Sequence, residues 1–308
     1  QNNIPVDPDT IFQAASLSKP VLSFITLRLV EQGKFSLDHP LSDYFENLRV
    51  VNKDWGKLIT ARHVLSHQTG FSNWSNGELD FNFKPGNDFG YSGEGYVYLQ
   101  KVLEKTSGLS FQELAEREVF KPLLMKNSYF TWDKNSKLKL AKGHDRAGNQ
   151  VNRGIPEANA AASLHTTPED YLKFIQAWFD EKYISSSLRK EALKSYSSKT
   201  QGEPETLMSW ALGWGAANNS NSKVLWHWGD NGVFRAFTAF QPESQSAFVY
   251  FANSENGLAI GKQLTEKIMP GNQSIFNWLN YGQSDSPLWQ AERKGYELES
   301  KGKFADAK

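Results

Sequence analysis

Residues 21–30, VLSFITLRLV, are apolar almost all round, a pattern that predicts a helix buried on most of its faces rather than an amphipathic surface helix. Ser16 stands where a capping side chain would stand, so this helix is expected to open with Ser16. Pro20 is tolerated in its first turn, and Gly33 is a stop signal. Residues 34–159 are rich in helix signals punctuated by Gly and Pro. Helices are expected over 60–65 and 95–105, the second closed by Ser107-Gly108. Thr167, followed by Pro168-Glu169-Asp170, caps another that runs through Phe179. After about residue 205 the pattern changes. Segments 223–228, 233–240 and 246–253 alternate or run apolar, with Pro242-Glu243-Ser244 as a turn, and predict an antiparallel meander. Residues 258–268 return to helix, and the charged tail 284–308 reads as helical with little to bury.

Composition narrows the functional classes. The 308 residues, 39% of them hydrophobic, suffice for one large domain or two closely packed ones. A formal net charge of zero gives no nucleic-acid or anionic-membrane footprint. No apolar run reaches the roughly 18 residues of a membrane span, and residues 1–10 carry no signal-peptide core. With no cysteine there is no disulfide, no thiolate zinc site and no cysteine nucleophile. The six histidines show no metal-binding spacing, and no Gly-rich phosphate loop occurs, so neither metal nor cofactor is expected. A Gly-x-Ser-x-Gly elbow is also missing.

Candidate chemistry begins with Ser16-Leu17-Ser18-Lys19. On a helix, residues three apart share a face, so Lys19 can reach Ser16 and accept its proton if its pKa is lowered. Spacing alone decides nothing, since Ser-x-x-Lys recurs at Ser136/Lys139, Ser187/Lys190, Ser220/Lys223 and Ser300/Lys303. A capping serine followed by a surface lysine is the simpler reading of any one pair. Three further strings single out the first: Leu65-Ser66-His67-Gln68-Thr69-Gly70, Tyr91-Ser92-Gly93, and His227-Trp228-Gly229-Asp230. Together with Asp9-Thr10-Ile11-Phe12, the Gly33–Asp38 turn and the string 210–215, they run in order along the chain.

In that order the chain resembles the serine β-lactamase and penicillin-binding-protein superfamily, on the branch of class C β-lactamases, D-Ala-D-Ala peptidases and related esterases. The resemblance implies an α+β fold: an antiparallel β-sheet flanked by helices, with a mostly helical insertion. Residues 1–33 and 160–283 would form the sheet lobe and 34–159 the helical lobe, with 284–308 a charged tail. It also implies roles for individual residues. Ser16 would be the acylated nucleophile, Lys19 its proton acceptor, and Tyr91 a phenolate or proton relay. The backbone N–H groups of Ser16 and Asp230 would form the oxyanion hole. His227, Trp228 and Gly229 occupy the place of Lys-Thr-Gly on the strand walling the site, and His67 reads as structural.

One departure matters. The family's Tyr-x-Asn is here Tyr91-Ser92-Gly93, and Gly93 has no amide to offer a substrate carbonyl. His227 in place of lysine is a weaker anchor for a carboxylate. Both shift the implied activity from β-lactams toward esters, amides or D-amino-acid peptides. A catalytically weak penicillin-binding or peptidoglycan-sensing relative is the alternative. The implied partner is a small-molecule or peptide substrate, in a bacterial envelope setting. Family members carry two strands ahead of the Ser-x-x-Lys helix, and fifteen residues are too few for them. The resemblance thus implies a fragment, or a segment lost or replaced by a partner, and without those strands the meander would have an open edge. The string 295–307 faintly resembles the start of a tetratricopeptide helix, which implies that the natural protein continues.

Overall fold

The computed structural model describes residues 5–151, 154–201, 206–219, 222–269 and 274–279. The tail 284–308 and its repeat-like string lie outside them. Strand β1 (Phe12–Ala15) leads into helix α1 (Ser18–Glu31). Short helices α2 (Leu41–Tyr44), α3 (Lys53–Gly56) and α4 (Ala61–Leu65) follow, then the longer α5 (Gly93–Ser107) and α6 (Phe111–Ala115). After the small strands β2 (Gly143–His144), β3 (Gln150–Val151) and β4 (Leu164–Thr166) come α7 (Pro168–Ala177) and α8 (Ser186–Ala192). Six antiparallel strands complete the body: β5 (Ser197–Gln201), β6 (Thr206–Trp210), β7 (Gly215–Asn219), β8 (Ser222–Asp230), β9 (Arg235–Gln241) and β10 (Ser246–Ala252). Helices α9 (Gly261–Ile268) and α10 (Ser274–Leu279) follow.

The sheet order is β10-β9-β8-β7-β6-β5, so the expected meander forms one half of a larger sheet. Strands β5 and β7, with sequences SSKTQ and GAANN, lack the apolar alternation that marks a strand and join through pairing alone. Helix α1 starts at Ser18, not Ser16. Ala15 takes a left-handed backbone (φ 49°), which puts Ser16 in the preceding turn, and no side chain caps the helix. Strand β1 pairs antiparallel with β4 and also touches β8, β9 and β10. Among the described residues no helix is long and apolar enough to cross a membrane.

Helix α1 is the centre of the main core. Every residue from Ser18 to Leu27 is buried, which is why its sequence shows no polar face. Phe24 meets Phe174 and Trp178 edge to face, each at 5.5 Å. Trp178 continues to Trp214 at 5.8 Å, and Trp214 to Phe240 of β9 at 4.8 Å. One aromatic relay thus fixes α1 against α7 and the sheet. Along β8 side chains alternate: Leu225 joins this core, whereas Val224 and Trp226 pack a second cluster with Phe237 and Phe276 on the other face. Phe24→Ala is expected to lower unfolding free energy by about 3–5 kcal/mol, read as a fall in urea midpoint. A loss below about 1 kcal/mol would contradict the central place given to α1.

Candidate active site

The strained residue and the nucleophile candidate are neighbours. A left-handed alanine costs of order 1–2 kcal/mol, sustained only where the surroundings dictate it. Here they do: the Ser18 hydroxyl donates to the Ala15 carbonyl at 2.5 Å and accepts from the Leu164 N–H at 2.9 Å. The turn then closes through Leu17 N–H to Ala14 O and Lys19 N–H to Ser16 O. Ser16 is left partly exposed, facing the one lysine that α1 buries.

Lys19 is fully buried. Its Nζ donates to Ser16 Oγ at 3.0 Å and to the Ala161 carbonyl at 2.9 Å, and lies 4.7 Å from the centre of the Tyr91 ring. No carboxylate pairs with it among the described residues, so nothing offsets the loss of hydration. Burial lowers its pKa to about 7. At neutral pH much of this amine is unprotonated, with a lone pair 3.0 Å from a hydroxyl.

Tyr91 sits in the loop before α5, its ring 4.3 Å from His67 and 4.9 Å from Trp228. Its buried hydroxyl has no hydrogen-bond partner of normal geometry. Burial pushes the phenol well up, and the nearby Ser16 hydroxyl opposes this only in part. Tyr91 is therefore held as a neutral phenol.

His67, at φ 56°, holds that loop: its Nδ1 accepts from the Ser92 N–H at 3.0 Å and its carbonyl from the Gly90 N–H at 2.8 Å. This fixes the ring proton on Nε2, which is buried without a partner. His227 has the opposite tautomer. Its Nδ1 lies 2.8 Å from the Trp228 carbonyl, so Nδ1 carries the proton and the unpartnered Nε2 presents a lone pair. Burial, then the Lys19 charge, lowers His227 to about 3. The imidazole is neutral rather than partly charged, and offers a carboxylate no cation.

Gly229 explains itself through contact. A Cβ there would lie 2.3 Å from the Ala14 carbonyl and 3.1 Å from the Ala15 side chain, so only glycine lets β8 meet the end of β1. Ser16 and Asp230 each follow that contact by one residue. The Asp230 carboxylate pairs with Arg235 and accepts from the Gly232 N–H at 2.9 Å. Ser16, Lys19, Tyr91, His227, Trp228 and Gly229 thus come together. Gly93 begins α5, two residues beyond Tyr91, under the indole of Trp74.

A family model described as Beta-lactamase matches residues 1–270. The chain belongs to the beta-lactamase family. This beta-lactamase-family chain is 23% identical over 273 residues to Protein flp of Staphylococcus aureus strain MRSA252, a match covering 81% of this chain and 54% of that protein. It spans about half the length of the curated relatives it matches. Among solved structures it is similar to an octameric penicillin-binding protein homologue from Pyrococcus abyssi (TM-score 0.70, 23% identity, 96% of this chain and 72% of that one). A D-stereospecific amidohydrolase from Streptomyces sp. is similar too (TM-score 0.71, 17% identity, 86% and 88%). At such identities the likeness establishes the β-lactamase/transpeptidase-like fold.

Sequence reasoning missed three supports within this member of the family. Asn231 Nδ2 donates at 3.1 Å to Gln13 Oε1 and to the Ala162 carbonyl, tying the turn after β8 to β1 and to the segment that holds Lys19. Tyr96 lies 5.7 Å from Lys19 Nζ and donates to the Leu65 carbonyl at 3.1 Å. The third is Trp74. None carries a spacing signal.

If Lys19 acts as base, labelling of Ser16 by a fluorophosphonate rises with pH to a plateau, with midpoint near 7. Lys19→Met lowers the plateau at least about 100-fold; a flat profile would remove Lys19 from the role. Stability should also rise with pH. Lys19 and His227 both have folded pKa values below their unfolded ones, so the unfolded chain binds more protons between about 3 and 6.5 for His227, and between about 7 and 10.5 for Lys19. Urea midpoints are expected to fall as pH drops from 9 to 4.5. Lys19→Met should gain about 1–2 kcal/mol at pH 7 and lose the alkaline part of the slope; an unaltered slope would contradict burial as the cause.

Proposed function

We propose that this protein is a serine hydrolase that works through an acyl-enzyme on neutral esters, amides or D-amino-acid peptides. The observation that carries the reading is the 3.0 Å contact of Ser16 Oγ with a buried lysine amine that has no counter-charge among the described residues. In the forward step the Ser16 proton moves to Lys19 Nζ as Oγ bonds to the substrate carbonyl carbon. The negative oxygen then meets the backbone N–H groups of Ser16 and Asp230, which the Ala15/Gly229 contact supports as neighbours. Collapse expels the leaving group, which takes a proton relayed by Tyr91 from Lys19. Water then attacks the acyl carbon, giving up its proton to the same groups, and as the bond to Oγ breaks that proton returns to Ser16 and the acid leaves.

The site would sit between the sheet lobe (residues 1–33 and 160–283) and the helical lobe (34–159), and needs neither metal nor cofactor. Neutral His227 supports substrates without a carboxylate beside the scissile bond, which sets β-lactams behind esters and amides. A bacterial envelope location is part of the same proposal.

An activity-based fluorophosphonate and a fluorescent penicillin test it. Wild type is expected to take the phosphonate on Ser16, and Ser16→Ala to take none. p-Nitrophenyl ester turnover should exceed that of a chromogenic cephalosporin by at least about tenfold in kcat/KM. An unlabelled wild type that binds penicillin reversibly would favour the weak, ligand-sensing relative. Fast cephalosporin turnover would overturn the substrate reading.

A further inference from the structure

The Tyr91-Ser92-Gly93 string invites a reading of decay, but the space above Gly93 is filled. A Cβ built on Gly93 would lie 2.6 Å from Cη2 and 2.7 Å from Cζ2 of the Trp74 indole. Any side chain at position 93, asparagine included, would force that ring away. Gly93 and Trp74 are therefore one device: the first removes a side chain so that the second can lie on the backbone at the start of α5.

Trp74 is 51% exposed. A lone exposed indole means little, but this one is mounted on a segment tied down at Ser72, Asn73, Ser75 and Gly77. The Asn73 carbonyl accepts from the N–H groups of Gly93 (3.0 Å) and Glu94 (3.1 Å), and Asn73 Oδ1 also accepts from Gly93 N–H at 2.9 Å. The Ser92 hydroxyl donates to the Ser72 carbonyl at 2.9 Å, and Ser75 N–H to Glu94 Oε1 at 2.9 Å. Arg49 completes the clamp, donating to the carbonyls of Ser75 and Gly77, each at 2.7 Å, and to Glu94 at 2.8 Å. The backbone that carries Trp74 is thus fixed, and its indole lies against Gly93, which is two residues along the chain from Tyr91. A flat, half-exposed apolar face gains from stacking or burying an apolar group, and the cost of ordering the backbone that carries it has already been met in folding.

We propose that Trp74 is a specificity-determining residue whose exposed face receives an aromatic or similarly flat apolar group on the acyl part of the substrate. The inference rests on the acyl-enzyme reading above and narrows its substrate class. Where the family motif offers an amide to a substrate carbonyl, this site offers a hydrophobic face, so recognition passes from a hydrogen bond to apolar contact.

The test compares second-order rates of Ser16 labelling by two fluorophosphonates, one with a methyl and one with a benzyl substituent on phosphorus. Wild type is expected to prefer the benzyl probe, and Trp74→Ala to reduce the benzyl-to-methyl ratio about tenfold. Trp74→Phe should restore most of the ratio, because it keeps a flat apolar face. Gly93→Asn, which displaces the indole, should reduce the ratio as Trp74→Ala does. An unchanged ratio in Trp74→Ala, or an equal fall in both rates, overturns the inference while leaving the hydrolase reading intact. A wild type that takes neither probe overturns the hydrolase reading, and this inference with it.

Discussion

A lysine amine buried without a counter-charge is the constraint on which the rest of this structure turns. Removing an ammonium from water is costly, and a protein usually pairs the charge or neutralises it. Here it is neutralised in part: burial brings Lys19 to about 7, and its hydrogen bonds go to a carbonyl and a serine hydroxyl. That outcome needs a helix buried all round, which α1 provides, and rings in place of carboxylates near the amine, which Tyr91 and Tyr96 provide. The same burial, and secondarily Lys19 in its charged form, lowers both His67 and His227, so the neighbouring imidazoles are neutral.

The geometry of the serine follows from a second compromise. Ala15 accepts a left-handed backbone, and Gly229 gives up its side chain, so that β1 and β8 meet just before Ser16 and Asp230. Neither residue would be chosen for stability. Both are held by hydrogen bonds and contacts from several elements at once, the usual condition for strain to persist.

Much of this was legible in the sequence, for identifiable reasons. The all-apolar run of α1, the capping threonine at 167, and the apolar strands β8 to β10 are patterns that burial and capping impose directly. Ser16, Lys19, Tyr91 and His227 were legible through their order along the chain, and the structure brings them together. What was not legible depends on partners distant in sequence. Ser16 looked like a helix cap because the left-handed turn at Ala15 leaves no local mark. Strands β5 and β7 are polar or small and become strands only beside their neighbours. Ring tautomers, the neutrality of His227 and the packing of Trp74 on Gly93 are consequences of tertiary contact, and no spacing rule reports them.

The clamp around residues 72–77 has a consequence beyond its effect on one indole. The ties to Arg49, Glu94 and Ser92 engage backbone groups of that segment, namely the carbonyls of Ser72, Ser75 and Gly77 and the N–H of Ser75. None depends on which side chain stands at position 74. The segment can keep its path while that one side chain is exchanged, provided position 93 changes size to match. Under the proposal made for Trp74, a new preference arises by paired drift at two positions without disturbing Ser16, much as a tool holder accepts different bits.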